Sequence, residues 1–195
     1  MILIYFVLAA IPLSFLCGGK LKYIAENPLR LIWLPPLAFA IEAACPLLKD
    51  RLQLPLDQWQ WIAVLLEYML LFLFCFLNWK RKPVRLIALA CFLNFFVIAW
   101  YGFRMPVAPI IHEFPDMAST LSRIQSGDIF EYVLAEKNAP FLFLGDAIII
   151  PFIHSGLASI GDIFLGLGVS WLIFEWMRPL PHKKKRPATG RNAAY

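Results

Sequence analysis

Two Gly-Asp pairs, Gly145-Asp146 and Gly161-Asp162, stand in a stretch, 141–168, that is otherwise apolar enough for lipid. An unpaired carboxylate in hydrocarbon costs several kcal/mol, so an acid held there is paired, wetted or put to use. Three kinds of chemistry fit. Two acids sharing one site can hydrolyse a peptide bond: one carboxylate activates water, and the other keeps its proton and polarises the carbonyl, because close like charges split their proton affinities. That makes Asp146 and Asp162 the catalytic candidates of a membrane-embedded aspartyl-type hydrolase. The same acids could instead hold a cation or the amine of a solute. Arg104 and His154, near the same outer face, and Glu42, Glu67 and Asn94, lining a path between helices, would then join them as ligand- or ion-binding candidates. The third reading is structural. Ser159-Ile160-Gly161-Asp162 has the spacing of a capping box, and Asp146 could cap a short helix of its own or pair with Arg104.

A metal is not expected. His112 and His154 are isolated from other ligand types, and Cys17, Cys45, Cys75 and Cys91 form no C-x-x-C pair. The cysteines read as small reduced hydrophobes in apolar runs, and no cofactor is implied.

The elements that would carry these residues are membrane elements. The chain has 195 residues, 61% hydrophobic and 16% charged, more apolar surface than a soluble fold of this size can bury. The expected fold class is an all-α integral membrane protein with five transmembrane helices, at about 2–17, 29–48, 59–79, 84–103 and 159–177. A re-entrant or interfacial segment, 141–158, precedes the last helix; it is interrupted by Asp146 and Pro151 and is too short to span. Pro35-Pro36 and Pro46 are expected to kink the second helix. The loop 105–139 is acidic, and two short amphipathic helices are expected in it, one from Asp116 to Gln125 and one over 129–136.

Of the 18 Lys and Arg residues, 13 fall in the loop at 20–30, the turn around Lys80 and the tail 179–195 with its flank. Placing those segments in the cytoplasm puts the N-terminus outside and the C-terminus inside. The basic tail, with Lys183 to Arg186, suits anionic lipid head groups of the bilayer. The net charge of +5 is spent on topology, so no nucleic-acid partner is implied.

The order Gly102-Phe103-Arg104-Met105-Pro106-Val107, then Leu144-Gly145-Asp146, then Ser159-Ile160-Gly161-Asp162 through Gly166 and Gly168 resembles the domain-of-unknown-function 5317 family. That family is one of uncharacterised bacterial membrane proteins. The resemblance implies a plasma membrane protein and no particular activity. Around Asp162 the chain also looks like the last helix of lipoprotein signal peptidases, with Ser159 at the motif's Asn, Gly161 at its Ala and Gly168 at its Gly; aligned on Gly145, Ile149 falls where those enzymes carry their other catalytic Asp. The expected function is a non-enzymatic small solute- or ion-handling module or an accessory subunit, as a homodimer or within a larger membrane complex. The aspartyl-type hydrolase is the alternative.

Overall fold

Prolines mark where helices begin. In the computed structural model, which describes residues 2–52, 56–129, 131–150 and 156–179, Pro83 occupies the first turn of helix α5 (Lys82–Trp100). Pro35 and Pro36 likewise open helix α3 (Leu34–Leu52). The expected mid-span kink is therefore absent at Pro35-Pro36: a first-turn residue has no intrahelical acceptor for its N–H, so proline there costs nothing. Helix α1 (Ile2–Leu16) keeps Pro12 in its interior, and a short α2 (Lys22–Glu26) follows it. Helices α4 (Leu56–Leu77) and α7 (Ile160–Trp176) complete the long elements.

The five expected helices all form, and the protein is mostly helical. Two are long and apolar enough to cross a membrane, Gln60–Leu77 within α4 and Lys82–Trp100. The other three fall short of the five-span expectation: α1 has 15 residues, α3 is apolar over Leu34–Ala44 among its described side chains, and α7 has 17.

Contacts order the helices as α1, α7, α5, α4, α3, so the last helix in sequence lies between the first and the fifth. Small residues let it in. A Cβ on Gly168 would come within 2.7 Å of Ile87 Cγ1 and 3.1 Å of the Ile87 backbone nitrogen, and one on Gly161 would overlap the Asn94 side chain. On the opposite side, Gly166 abuts Phe6 of α1. Glycine on two faces lets two neighbouring helices approach closely at once. Between α4 and α5 the apolar core holds Leu71, Phe74, Cys75, Val84, Ile87 and Cys91, with the Tyr68 and Phe95 rings 5.2 Å apart. Cys17, Cys75 and Cys91 are free thiols.

One end of the bundle is stitched by polar side chains. Asn78 donates to the Arg30 carbonyl (2.9 Å) and accepts from its amide (2.9 Å). The Arg81 guanidinium donates to the Asn27 side chain and backbone carbonyl and to the Pro28 carbonyl. Lys20 N donates to Met177 O at 2.8 Å, and the Trp176 indole to Ile24 O at 3.1 Å. This end therefore gathers Lys20, Lys22, Arg30, Lys80, Arg81 and Lys82.

The other end carries a small cap built on β-structure. Strand β1 (Met105–Val107) pairs in parallel with β2 (Tyr132–Leu134), and β3 (Ile148–Ile150) forms an antiparallel pair with β4 (Gly156–Ala158). A second amphipathic helix is expected over 129–136, but Tyr132–Leu134 form a strand there: Tyr-Val-Leu suits a half-buried pleated surface, and β1 offers an edge to pair with. Within 141–158 the described residues form a 3-10 turn at Leu142–Leu144 and the strands β3 and β4, which pair antiparallel. The three successive β-branched isoleucines of β3 account for that.

The first amphipathic helix does form, as α6 (Ala118–Ser126). Met117, a residue with no side-chain cap bond, is its N-cap, because a 3-10 turn at Pro115–Met117 takes the position expected for Asp116. Gly127 ends it with φ +78°, Asp128 N returning to Arg123 O at 2.9 Å, as left-handed helix termini require. Val107, Ile111, Met117 and Ile124 form a separate core for the cap, with Leu157 packed against it.

Candidate functional site

Asp162 opens α7. Its Oδ2 accepts from the Ser159 amide at 3.0 Å, and the Asp162 amide donates to Ser159 Oγ at 2.9 Å, a complete capping box. From α5, Asn94 Nδ2 donates to Asp162 Oδ1 at 3.0 Å, while Asn94 Oδ1 accepts from Ser159 Oγ at 2.9 Å. The three side chains close a ring in which both oxygens of Asp162 are engaged. Ser159 is fully buried, so its bond to Asn94 is shielded from competing water, while the bonds to Asp162 are partly buried. Gly161 is required here because a side chain would strike Asn94 before Asn94 could reach the carboxylate.

Asp146 is held differently. It lies beside β1 as an isolated parallel bridge to Val107. Its amide donates to Pro106 O (2.9 Å), and its carbonyl accepts from Ala108 N (3.0 Å). The approach is close enough that a Cβ on Gly145 would lie 2.5 Å from Pro106 O, so glycine is needed next door. The backbone of Asp146 is thus satisfied, and the side chain is not: the residue is 8% exposed, and Oδ1 is buried with no hydrogen-bond partner. Burial pushes the carboxyl up to about 7, and the nearby Asp162 charge adds to the push. Tyr132 of β2 also lies within electrostatic reach of Asp146.

The remaining candidates separate. Asn94 belongs to the Asp162 ring. Glu67 is buried on α4, and Glu42 is exposed on α3. Arg104 is half-buried at the turn before β1, and the partnership expected with Asp146 does not supply the missing partner of Oδ1. His154 lies outside the described residues, as does the basic tail from 180 onward. Among the described residues no group of three or more His, Cys, Asp or Glu side chains could hold a metal ion.

The ring also contains what residue-by-residue reading misses. Ser159 and Asp162 announce a cap by spacing, but nothing local shows that Asn94 completes it from another helix. Asn27 and Asn78, which tie the basic end together, were likewise not singled out. A usable signal is an asparagine at the end of an apolar run, where its amide can satisfy carbonyls freed by a helix terminus.

A helical bundle with a β-built cap and one orphaned carboxylate beneath it defines the class of protein. A family model described as a family of unknown function, DUF5317, matches residues 26–174, and the chain belongs to that family. No curated protein and no solved structure matches it.

Proposed function

We propose that the chain is a multi-pass bacterial plasma membrane protein that handles a small monovalent cation or amine-bearing solute at its acidic end, alone or as an accessory subunit, with Asp146 as the binding carboxylate. The observation that carries the binding reading is the buried, unpartnered Oδ1 of Asp146. A native fold leaves few such atoms unsatisfied, and those it leaves call for a proton or a ligand. Asp162 has no comparable free valence, so a two-acid hydrolase would require it to abandon its cap first.

The membrane reading is supported by side chains the bundle turns outward. Phe76, Met69, Leu8, Ile4 and Phe92 are all more than half exposed along helix flanks, a display that water does not tolerate but lipid does. At 1.5 Å per residue, α1 is about 22 Å long, short of a hydrocarbon core of about 30 Å. Local thinning and snorkelling of Lys20 and Lys22 would absorb the mismatch. The basic end, from Lys20 to Arg81, supports a cytoplasmic assignment for that end and an outside location for the cap.

The test is a melting series in detergent at pH 8, with monovalent cations and small primary amines added at constant ionic strength. One of them raises the melting temperature of the wild-type protein and leaves Asp146→Asn unmoved. If none stabilises the wild type selectively, or if Asp146→Asn responds equally, the binding reading fails.

A further inference from the structure

A groove of about 710 Å³ opens on the cap, within the size range of small-ligand sites. Ile110, Leu142 and Phe143 give it an apolar wall, and Glu113, Lys137 and Asn138 a polar side. Ala147 lines it, while its neighbour Asp146 is buried beside β1; successive residues of an extended segment face opposite ways, so the groove and the orphaned carboxylate are separate features.

The groove's height on the molecule is fixed by aromatic contacts. Phe141 packs edge-on against Phe96 (5.1 Å between centroids) and Trp100 (4.9 Å), and Tyr101 Oη donates to Pro140 O at 2.8 Å. These pin 140–144 to the last turns of α5. Trp100 is 56% exposed there, and Phe143 is 62% exposed at the groove itself. Tryptophan at the end of an apolar helix marks the level where acyl chains give way to head groups.

On the membrane reading above, we infer that this groove binds the head group of a zwitterionic phospholipid bearing a primary amine, of the phosphatidylethanolamine type, from the leaflet at the acidic end. The primary ammonium donates to the Glu113 carboxylate, and Lys137 pairs with the phosphate. Ile110, Leu142 and Phe143 take the upper part of the acyl chain. The two opposed charges set the selectivity. A quaternary ammonium has no N–H to give Glu113, and phosphatidylglycerol would bring its phosphate to Lys137 with no cation to meet Glu113.

The full-length protein is reconstituted in bilayer nanodiscs of equal parts phosphatidylethanolamine, phosphatidylcholine and phosphatidylglycerol, and retained lipid is counted by native mass spectrometry. Phosphatidylethanolamine is expected in about tenfold excess, the factor carried by one charge-assisted hydrogen bond. Glu113→Gln should erase discrimination against phosphatidylcholine. Lys137→Glu should cut phosphatidylethanolamine retention about tenfold, and Lys80→Gln, at the other end, should change nothing. Equal retention of the three lipids by the wild type, or variants with unchanged preference, overturns the inference. Should either groove variant fail to fold, glycerophosphoethanolamine should raise the wild-type melting temperature where glycerophosphocholine does not, and equal responses overturn it. Release of the protein from membranes by alkaline carbonate would bring down the membrane reading; retention without lipid preference brings down only this inference.

Discussion

Replacing Asp146 by Asn makes the protein more stable at high pH and removes a pH dependence that the wild type carries. The folded carboxyl titrates at about 7 and the unfolded one at 3.8, a difference of roughly three units, or about 4 kcal/mol. Between those values the folded protein keeps a proton that the unfolded chain has released. The raised carboxyl therefore costs nothing below about pH 4, costs more as the pH climbs, and reaches its full penalty above about pH 7. Asn carries no charge to bury and presents similar bulk, so the variant escapes the penalty. Thermal or denaturant unfolding from pH 4 to 8.5, in a buffer whose cation is too bulky for a buried loop, should show the wild type losing up to about 4 kcal/mol relative to Asp146→Asn. The repulsion from Asp162 belongs to that difference, because it disappears together with the Asp146 charge. Parallel pH profiles, or an Asn variant less stable at pH 8, would refute the claim that this carboxylate is buried without a partner.

Asn94→Ala removes two bonds of the ring, one to a carboxylate, and should cost about 2–4 kcal/mol in the same unfolding assay; a loss under about 0.5 kcal/mol would mean that the ring does not hold α5 to α7. Gly161→Ala places a methyl on Asn94 and should destabilise by about 1–3 kcal/mol, with Asn94→Ala partly rescuing it because the collision partner is gone; additive losses in the double variant would speak against the close approach. Asn78→Ala, which loses its bonds to Arg30 and Phe74, should lower stability by about 1–3 kcal/mol and expose 27–30 to protease, and an unchanged cleavage pattern would contradict that role. A cysteine at exposed Ser126 should react with impermeant maleimide from outside intact cells; protection there, with labelling only after lysis, reverses the proposed orientation.

What the sequence made legible, and what it did not, follows from the range of each interaction. Ser159 and Asp162 are three apart, so the cap was readable from spacing alone, and Gly127 closed α6 where the polar break suggested. Helix positions followed from apolar runs bounded by prolines and charge. The Asn94 contribution was not readable, because α5 and α7 meet only in three dimensions. The cap was misjudged for a different reason. In 129–136 the amphipathic pattern is too short to separate a helix from a strand, and pairing with β1 decides the matter for Tyr132–Leu134. The isoleucine run at 148–150 was the local hint of a strand. For Asp146 and Asp162 the same residue type in the same Gly-Asp setting has two fates, one saturated and one orphaned. Ser159 and Asn94 distinguish them, closing on Asp162 and having no counterpart at Asp146.

The position of α7 between α1 and α5 has a consequence for biogenesis. α1 leaves the ribosome before the other helices and cannot meet its principal neighbour until α7 has been made. At translation rates of about 5–20 residues per second, that wait is on the order of ten seconds. During it, the face of α1 that receives Gly166 and the Asn94 side of α5 stand open, available to wrong helices or to a chaperone. Chains truncated before Ile160 should therefore be short-lived in a pulse-chase experiment, while truncation after Arg178 should leave the lifetime unchanged; equal half-lives for the two would show that α1 and α5 find another stable arrangement without the last helix.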